Sequence, residues 1–295
     1  LFCRSPGYRA GFFRTAKIQF CYYFLKGVTT DFMWKSFYNP DLGKVETPQG
    51  TMTLPKIFLP LFLEMFLMNL MSTVNTFTLS FYSDEAVAAV GSAGQFMGMI
   101  LNFYSVISTG ASIVISQNLG AKKEKNASDA AFCALFAGAG LSVLLGATLS
   151  FFSMPLMRQM NLSGQVLTYA SSYLRICIRV SFFAAFVSIC SAIFKSYGKP
   201  KISVFVTLGM NALNALLNYL IVFQPVELPL HGVEGIACAY AFSEGCAAFT
   251  MLLLLLVLPL GLDFRHKSIR SSFRILPKVL QIGIPGGIST LSYSV

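Results

Sequence analysis

A handful of charged and amide side chains stand isolated inside long apolar runs, and each needs a reason to be there. Glu64 and Asn75 share the first run, and Asn102 lies in the second. Arg175 and Arg179 lie four apart in the fourth, Asn211, Asn214 and Asn218 in the fifth, and Glu244 in the sixth. An ionisable group surrounded by hydrocarbon is costly, so such a residue is a candidate for an ion or substrate pathway. Eleven residues are close to three helical turns, which puts Glu64 and Asn75 on one face. The arginines stack one turn apart. A carboxylate can carry a proton or hold a cation, whereas an amide offers an oxygen or a hydrogen bond but no proton. The candidate pathway is therefore Glu64, Asn75, Asn102, Arg179, Asn214, Asn218 and Glu244, with Glu64 or Glu244 as the titratable member. Each also has a structural reading. Arg179 could pair with Glu244 or snorkel towards water, and the asparagines could bond helix to helix.

Other chemistry is poorly provided for. The seven cysteines include no CxxC spacing, and five of them fall inside apolar runs, where cysteine packs as a small apolar residue. There are only two histidines, His231 and His266. No HExxH or GxSxG string occurs. The expectation is a protein that is not an enzyme and uses no cofactor or metal.

These residues need helices that cross a bilayer. The chain is 55% hydrophobic and only 12% charged, with a mean hydropathy of +0.66; soluble domains carry about 25% charged residues. Crossing hydrocarbon takes about 20 apolar residues as a helix. Segments 57–82, 86–114, 129–157, 167–194, 202–223 and 233–260 meet that length. The small residues of the second, including Ala89, Gly91, Ala93, Gly94 and Gly98, suit close helix packing. The fold class is all-α integral membrane.

The net charge of +10 is a topology signal, not a nucleic-acid one. Lys and Arg number eight in 1–56, three in 122–125, three in 195–201 and five in 265–278. The alternate connections hold Arg158 alone. That asymmetry predicts a multi-pass protein of the cell membrane with a cytoplasmic N-terminus. The partner expected from these features is the lipid bilayer, with no nucleic acid.

Leu54-Pro55-Lys56, with Pro60 following, opens the first segment, and Leu276-Pro277-Lys278, with Pro285 following, opens a seventh. A six-span unit that starts again is the layout of a two-lobed transporter. The organisation read from this is a basic, aromatic leader over 1–53, disordered or lying on the membrane surface. A six-helix lobe follows over 54–261, then a basic cytoplasmic linker over 262–278, and the start of a second lobe over 279–295. Both ends read as truncated, so the missing C-terminal lobe counts as a partner.

Specific strings carry a resemblance. DEAVAAVGSAGQ (84–95) resembles the start of helix two in MATE transporters, the multidrug and toxic-compound extrusion family. SQNLGAKKEKNA (116–127) is similar to that family's first inner loop, and KSYGKPKI (195–202) to its loop between helices four and five. NALNALLNYLIVF (211–223) and GVEGIACAY (232–240) resemble helices five and six, and GIP (283–285) the opening of helix seven. The resemblance covers about 54–295. It implies a twelve-helix, two-lobe antiporter that exports organic compounds against H+ or Na+. It also exposes a departure. Many members have Asp where Asn75 stands, and the archaeal type has Asn and Asp where Asn214 and Asn218 stand. Both acids read as amides here, which puts a proton relay through those positions in doubt. The alternative is a lipid-linked oligosaccharide flippase of the same superfamily, whose pyrophosphate would suit Arg175 and Arg179.

Overall fold

A computed structural model describes residues 44–47, 50–160, 162–223, 232–258 and 273–294. The chain divides into two units, Leu1–Leu59 and Pro60–Val295. In the first, β1 (Lys44–Thr47) pairs antiparallel with β2 (Gly50–Thr53), Lys44 opposite Thr53 and Thr47 opposite Gly50. The leader thus ends in a hairpin where no regular structure was expected. Its Val45, Thr47, Thr51 and Thr53 are residues that suit strands. The rest of the leader, most of the 262–278 linker and both histidines lie outside the described residues.

Seven α-helices follow among the described residues. They are α1 (Leu54–Leu79), α2 (Asp84–Gly120), α3 (Glu124–Gln159), α4 (Gly164–Ser196), α5 (Pro200–Phe223), α6 (Gly232–Val257) and α7 (Leu276–Ser294). The first six are long and apolar enough to cross a membrane. Several overrun their apolar segments. α2 continues six residues past Val114, and α3 starts five before Asp129. A helix satisfies its own backbone, so it need not stop where hydrocarbon stops. Its ends are then set by caps. Ser83 Oγ accepts from Ala86 N–H at 3.1 Å to start α2, where Asp84 and Glu85 also favour the positive helix end. Arg158 closes α3 at the negative end.

Within the second unit α4 is the central pillar, packing on α2, α3 and α6. Its apolar window is 61% buried, against 28% for α1. Ser181 and Tyr104 share a hydrogen bond of 2.8 Å between α4 and α2, and Ser196 and Ser112 share one of 3.0 Å nearer the α4 C-terminus. Two apolar cores stack along these helices, one around Tyr104, Leu174, Ile178 and Ile236, the other around Ile115, Ile189, Phe194 and Met251. Ala89 and Ala93 are fully buried, as the small-residue face predicts. Gly91, Gly94 and Gly98 are not part of that contact; nothing lies within 4 Å of where their Cβ would be. The closest approach is instead between α2 and α7. A Cβ on Gly110 would lie 2.1 Å from the Val279 carbonyl oxygen, and one on Gly283 would lie 2.0 Å from the Val106 carbonyl oxygen. Two glycines, each four residues from the carbonyl the other faces, let the backbones touch.

Candidate substrate and ion site

Asn75, late in α1, meets Asn218 of α5, which also holds Asn214. Asn218 Nδ2 donates to Asn75 Oδ1 at 2.5 Å and to Asn214 Oδ1 at 3.1 Å. Their positions explain the meeting. Asn211, Asn214 and Asn218 recur at helical spacing and so form one stripe on α5. All four asparagines are buried, Asn218 completely. The cluster is not self-sufficient, however. Asn218 Oδ1, Asn214 Nδ2 and both side-chain polar atoms of Asn211 are buried with no hydrogen-bond partner. An unmet buried polar group costs about 1–3 kcal/mol, and such groups in folded proteins are normally satisfied by water, an ion or a ligand. The stripe therefore offers two free oxygens and several free N–H groups to a guest.

Glu64 lies on the same buried face of α1 as Asn75, as eleven-residue spacing requires, but in different company. Ser191 Oγ donates to Glu64 Oε1 at 2.9 Å. Ser203 has one proton to give and reaches both Oε1, at 2.8 Å, and Ser191 Oγ, at 2.6 Å. Lys195 Nζ sits 3.0 Å from Oε2. It approaches off the hydrogen-bonding direction, so Oε2 has an ionic neighbour but no hydrogen bond. Glu64 is thus tied to α4 and α5 as a paired carboxylate. Sequence reasoning missed this trio. Lys195 counts there as a loop cation, whereas it belongs to the last turn of α4 and is only 31% exposed. The spacing of Ser191 and Lys195, one turn apart, was the available signal.

Glu244 is a different kind of carboxyl. It is buried in α6, and its Oε2 has no hydrogen-bond partner. Tyr240, one turn before it, and Cys177 of α4 lie within its electrostatic reach. It forms no ion pair with Arg179 among the described residues. Arg179 turns the other way and donates from Nε to Ser150 Oγ of α3 at 3.3 Å. Arg175 and Arg179 line an open groove of about 600 Å³ between α3 and α4, away from the amides of α1 and α5. Asn102 sits half-buried in α2, where its backbone carbonyl accepts from Ser105 Oγ at 2.7 Å. The structure therefore brings Asn75, Asn214 and Asn218 together and leaves Glu64, Glu244, Asn102 and Arg179 as four separate environments. Asn211 and Lys195 join the polar set.

This arrangement can hold a polar or cationic guest at the amides and a proton or cation at Glu244.

The comparisons with known proteins agree with this architecture. The MatE family model matches residues 60–220. The chain is 34% identical over 247 residues to "Uncharacterized transporter YisQ" of Bacillus subtilis, covering 83% of this chain and 54% of that protein. It is 25% identical over 259 residues to "Probable multidrug resistance protein NorM" of Thermotoga maritima, covering 88% and 56%. Among solved structures, a MATE protein in a bent conformation superposes with a TM-score of 0.72 at 23% identity, covering 80% of this chain and 52% of that one. An inward-facing multidrug resistance MATE transporter gives 0.70 at 22%, covering 81% and 54%. The chain spans about half the length of the relatives it matches. The strings that suggested the family fall where it would need them: at the start of α2, across the α2–α3 and α4–α5 turns, in α5 and α6, and within α7. With more than half of its residues under the family model, this multi-pass membrane chain belongs to the MatE family.

Proposed function

We propose that the full-length protein is a secondary active exporter of small organic compounds, driven by H+ or Na+ through alternating access. This chain would supply the first of its two lobes and the opening of the second. The relatives' names support export of drugs as the activity. The observation that carries the reading is the amide cluster, a buried and unsatisfied polar site between α1 and α5. In this reading Asn75, Asn211, Asn214 and Asn218 form a polar wall that binds substrate or a dehydrated cation. Glu244 is the titratable member, because it has a buried open oxygen and, among the described residues, no ion-pair partner. Glu64 is already engaged by Lys195 and serves to seat α1. Binding a proton or cation would then favour one of two packings of the lobe, each holding substrate differently. The positive charges at the 121–123 and 197–199 turns support a cytoplasmic face there and a cytoplasmic N-terminus in the cell membrane. Arg175 and Arg179, which would suit the pyrophosphate of a flippase, lie apart from the amides, so nothing at the cluster favours that reading.

Proteoliposomes of the full-length protein test this with imposed pH and Na+ gradients and a panel of organic cations. Asn218→Ala should raise the substrate KM about tenfold, the equivalent of losing one to two hydrogen bonds. Glu244→Gln should abolish dependence on the driving gradient, whereas Glu64→Gln should keep it. If Glu244→Gln and Glu64→Gln both retain wild-type export and gradient dependence, carboxylate coupling in this lobe is wrong.

A further inference from the structure

The groove between α3 and α4 has no role in the reading above, and its chemistry is specific. One wall is a stripe of α3 at four-residue spacing, Ser142, Gly146 and Ser150; the other carries Arg175 and Arg179, one turn apart on α4. Both guanidinium groups are exposed to the groove, and among the described residues neither has a carboxylate partner. Arg179 is braced through Nε by Ser150, which leaves its terminal nitrogens unused. The rim is the opposite in character. Val143 is 61% exposed and Phe151 85%.

Depth adds a constraint. α4 is 33 residues, roughly 50 Å long, against about 30 Å of hydrocarbon. With the hydrocarbon centred on α4, Arg175 at about 16 Å and Arg179 at about 22 Å from its N-terminus both fall inside the apolar layer, within one leaflet. Two unpaired cations there are costly. Their cost is removed by an anion, and fork-shaped donors suit a phosphate best. A soluble phosphate would leave the apolar rim unused. A guest with an anionic head and a hydrocarbon tail satisfies both halves of the groove, and about 600 Å³ is an ordinary size for a small-molecule site.

We propose that this groove binds an acidic membrane lipid, its phosphate held between Arg175 and Arg179 and its chain lying along Val143 and Phe151. The lipid is a resident ligand of the lobe, and its binding does not depend on the transport reading.

The test is native mass spectrometry of the full-length protein, delipidated and given phosphatidylglycerol, phosphatidylcholine or inorganic phosphate. Wild type should retain phosphatidylglycerol at least fivefold better than phosphatidylcholine and should not retain inorganic phosphate. Arg175→Gln with Arg179→Gln should erase that preference, and Arg175→Lys with Arg179→Lys should keep only part of it. Equal retention of both lipids by wild type would show simple snorkelling into the headgroup layer and overturns the proposal. So does an unchanged preference in the glutamine variant, or displacement of the lipid by inorganic phosphate. A second measurement leaves the arginines intact. A benzophenone on Val143→Cys should label phosphatidylglycerol in preference to phosphatidylcholine in mixed nanodiscs, and equal labelling overturns the proposal.

Discussion

At the scale of single residues, the two carboxyls that look alike in sequence part company because of what faces them. Glu64 has Lys195 and two serines, and Glu244 has none of these. Removing one partner of a buried pair strands the other charge, which is worse than removing both. Lys195→Met should therefore lower stability by about 2 kcal/mol, a figure below that for fully buried pairs because Lys195 is partly exposed. Glu64→Gln should cost less, since the freed ammonium can reach water and the amide oxygen can still accept from serine. The double variant should be less damaging than the sum of the two. Thermal unfolding of the full-length protein in detergent reads all three, and strict additivity would show that the pair is not coupled. Only the one-turn spacing of Ser191 and Lys195 hinted at this partnership in the sequence. The importance of Glu64 followed from its type and its apolar surroundings, but its partner was hidden by counting Lys195 among loop charges. The amide cluster was half legible. Helical spacing aligns Asn214 with Asn218, yet only the seating of α1 brings Asn75 onto them.

At the scale of elements, helices were legible because length and hydrophobicity suffice, while their packing partners were not. A stretch rich in alanine and glycine predicts close approach somewhere, without saying which glycine meets which neighbour. In α2 the close contact falls at Gly110, outside the richest stretch, and Gly91, Gly94 and Gly98 face open space. The distinction is testable. Gly283→Val and Gly110→Val would each drive a side chain into a backbone carbonyl that cannot rotate away, and overpacking of this kind costs typically 1–3 kcal/mol. Both should loosen α7, raising hydrogen exchange across Leu276–Gly286. Gly209→Ala is the contrast. It is an exposed mid-helix glycine of α5 with nothing within 4 Å, so alanine should be neutral or should stabilise by about 0.5 kcal/mol. If Gly283→Val leaves exchange in α7 unchanged, the α2–α7 contact is not what seats that helix.

At the scale of the whole molecule, charge placement and packing make one joint statement about orientation. The turns at 121–123 and 197–199 carry lysines, and those at 80–83 and 160–163 carry none. Lys195 takes no part in that argument, since Glu64 neutralises it. The asymmetry survives its removal, because Lys122, Lys123, Lys125, Lys199 and Lys201 all remain at one end of the bundle. A membrane-impermeant maleimide applied to intact cells should therefore label a cysteine placed at Ser80 in the α1–α2 turn. It should label one at Lys123 or Lys199 only after permeabilisation. Cys133, Cys177 and Cys190 are buried, and replacing Cys3, Cys21, Cys238 and Cys246 by serine in the parent protein removes the rest of the native background. Labelling at Lys123 in intact cells would invert the lobe. It would also put the Glu64–Lys195 pair, which lies at the lysine-bearing end, on the external side of the amide cluster. The orientation experiment thus decides which side of the membrane the pair faces, and so, if the proposed exporter reading holds, whether α1 is seated from the side where substrate would be collected or from the side where it would be released.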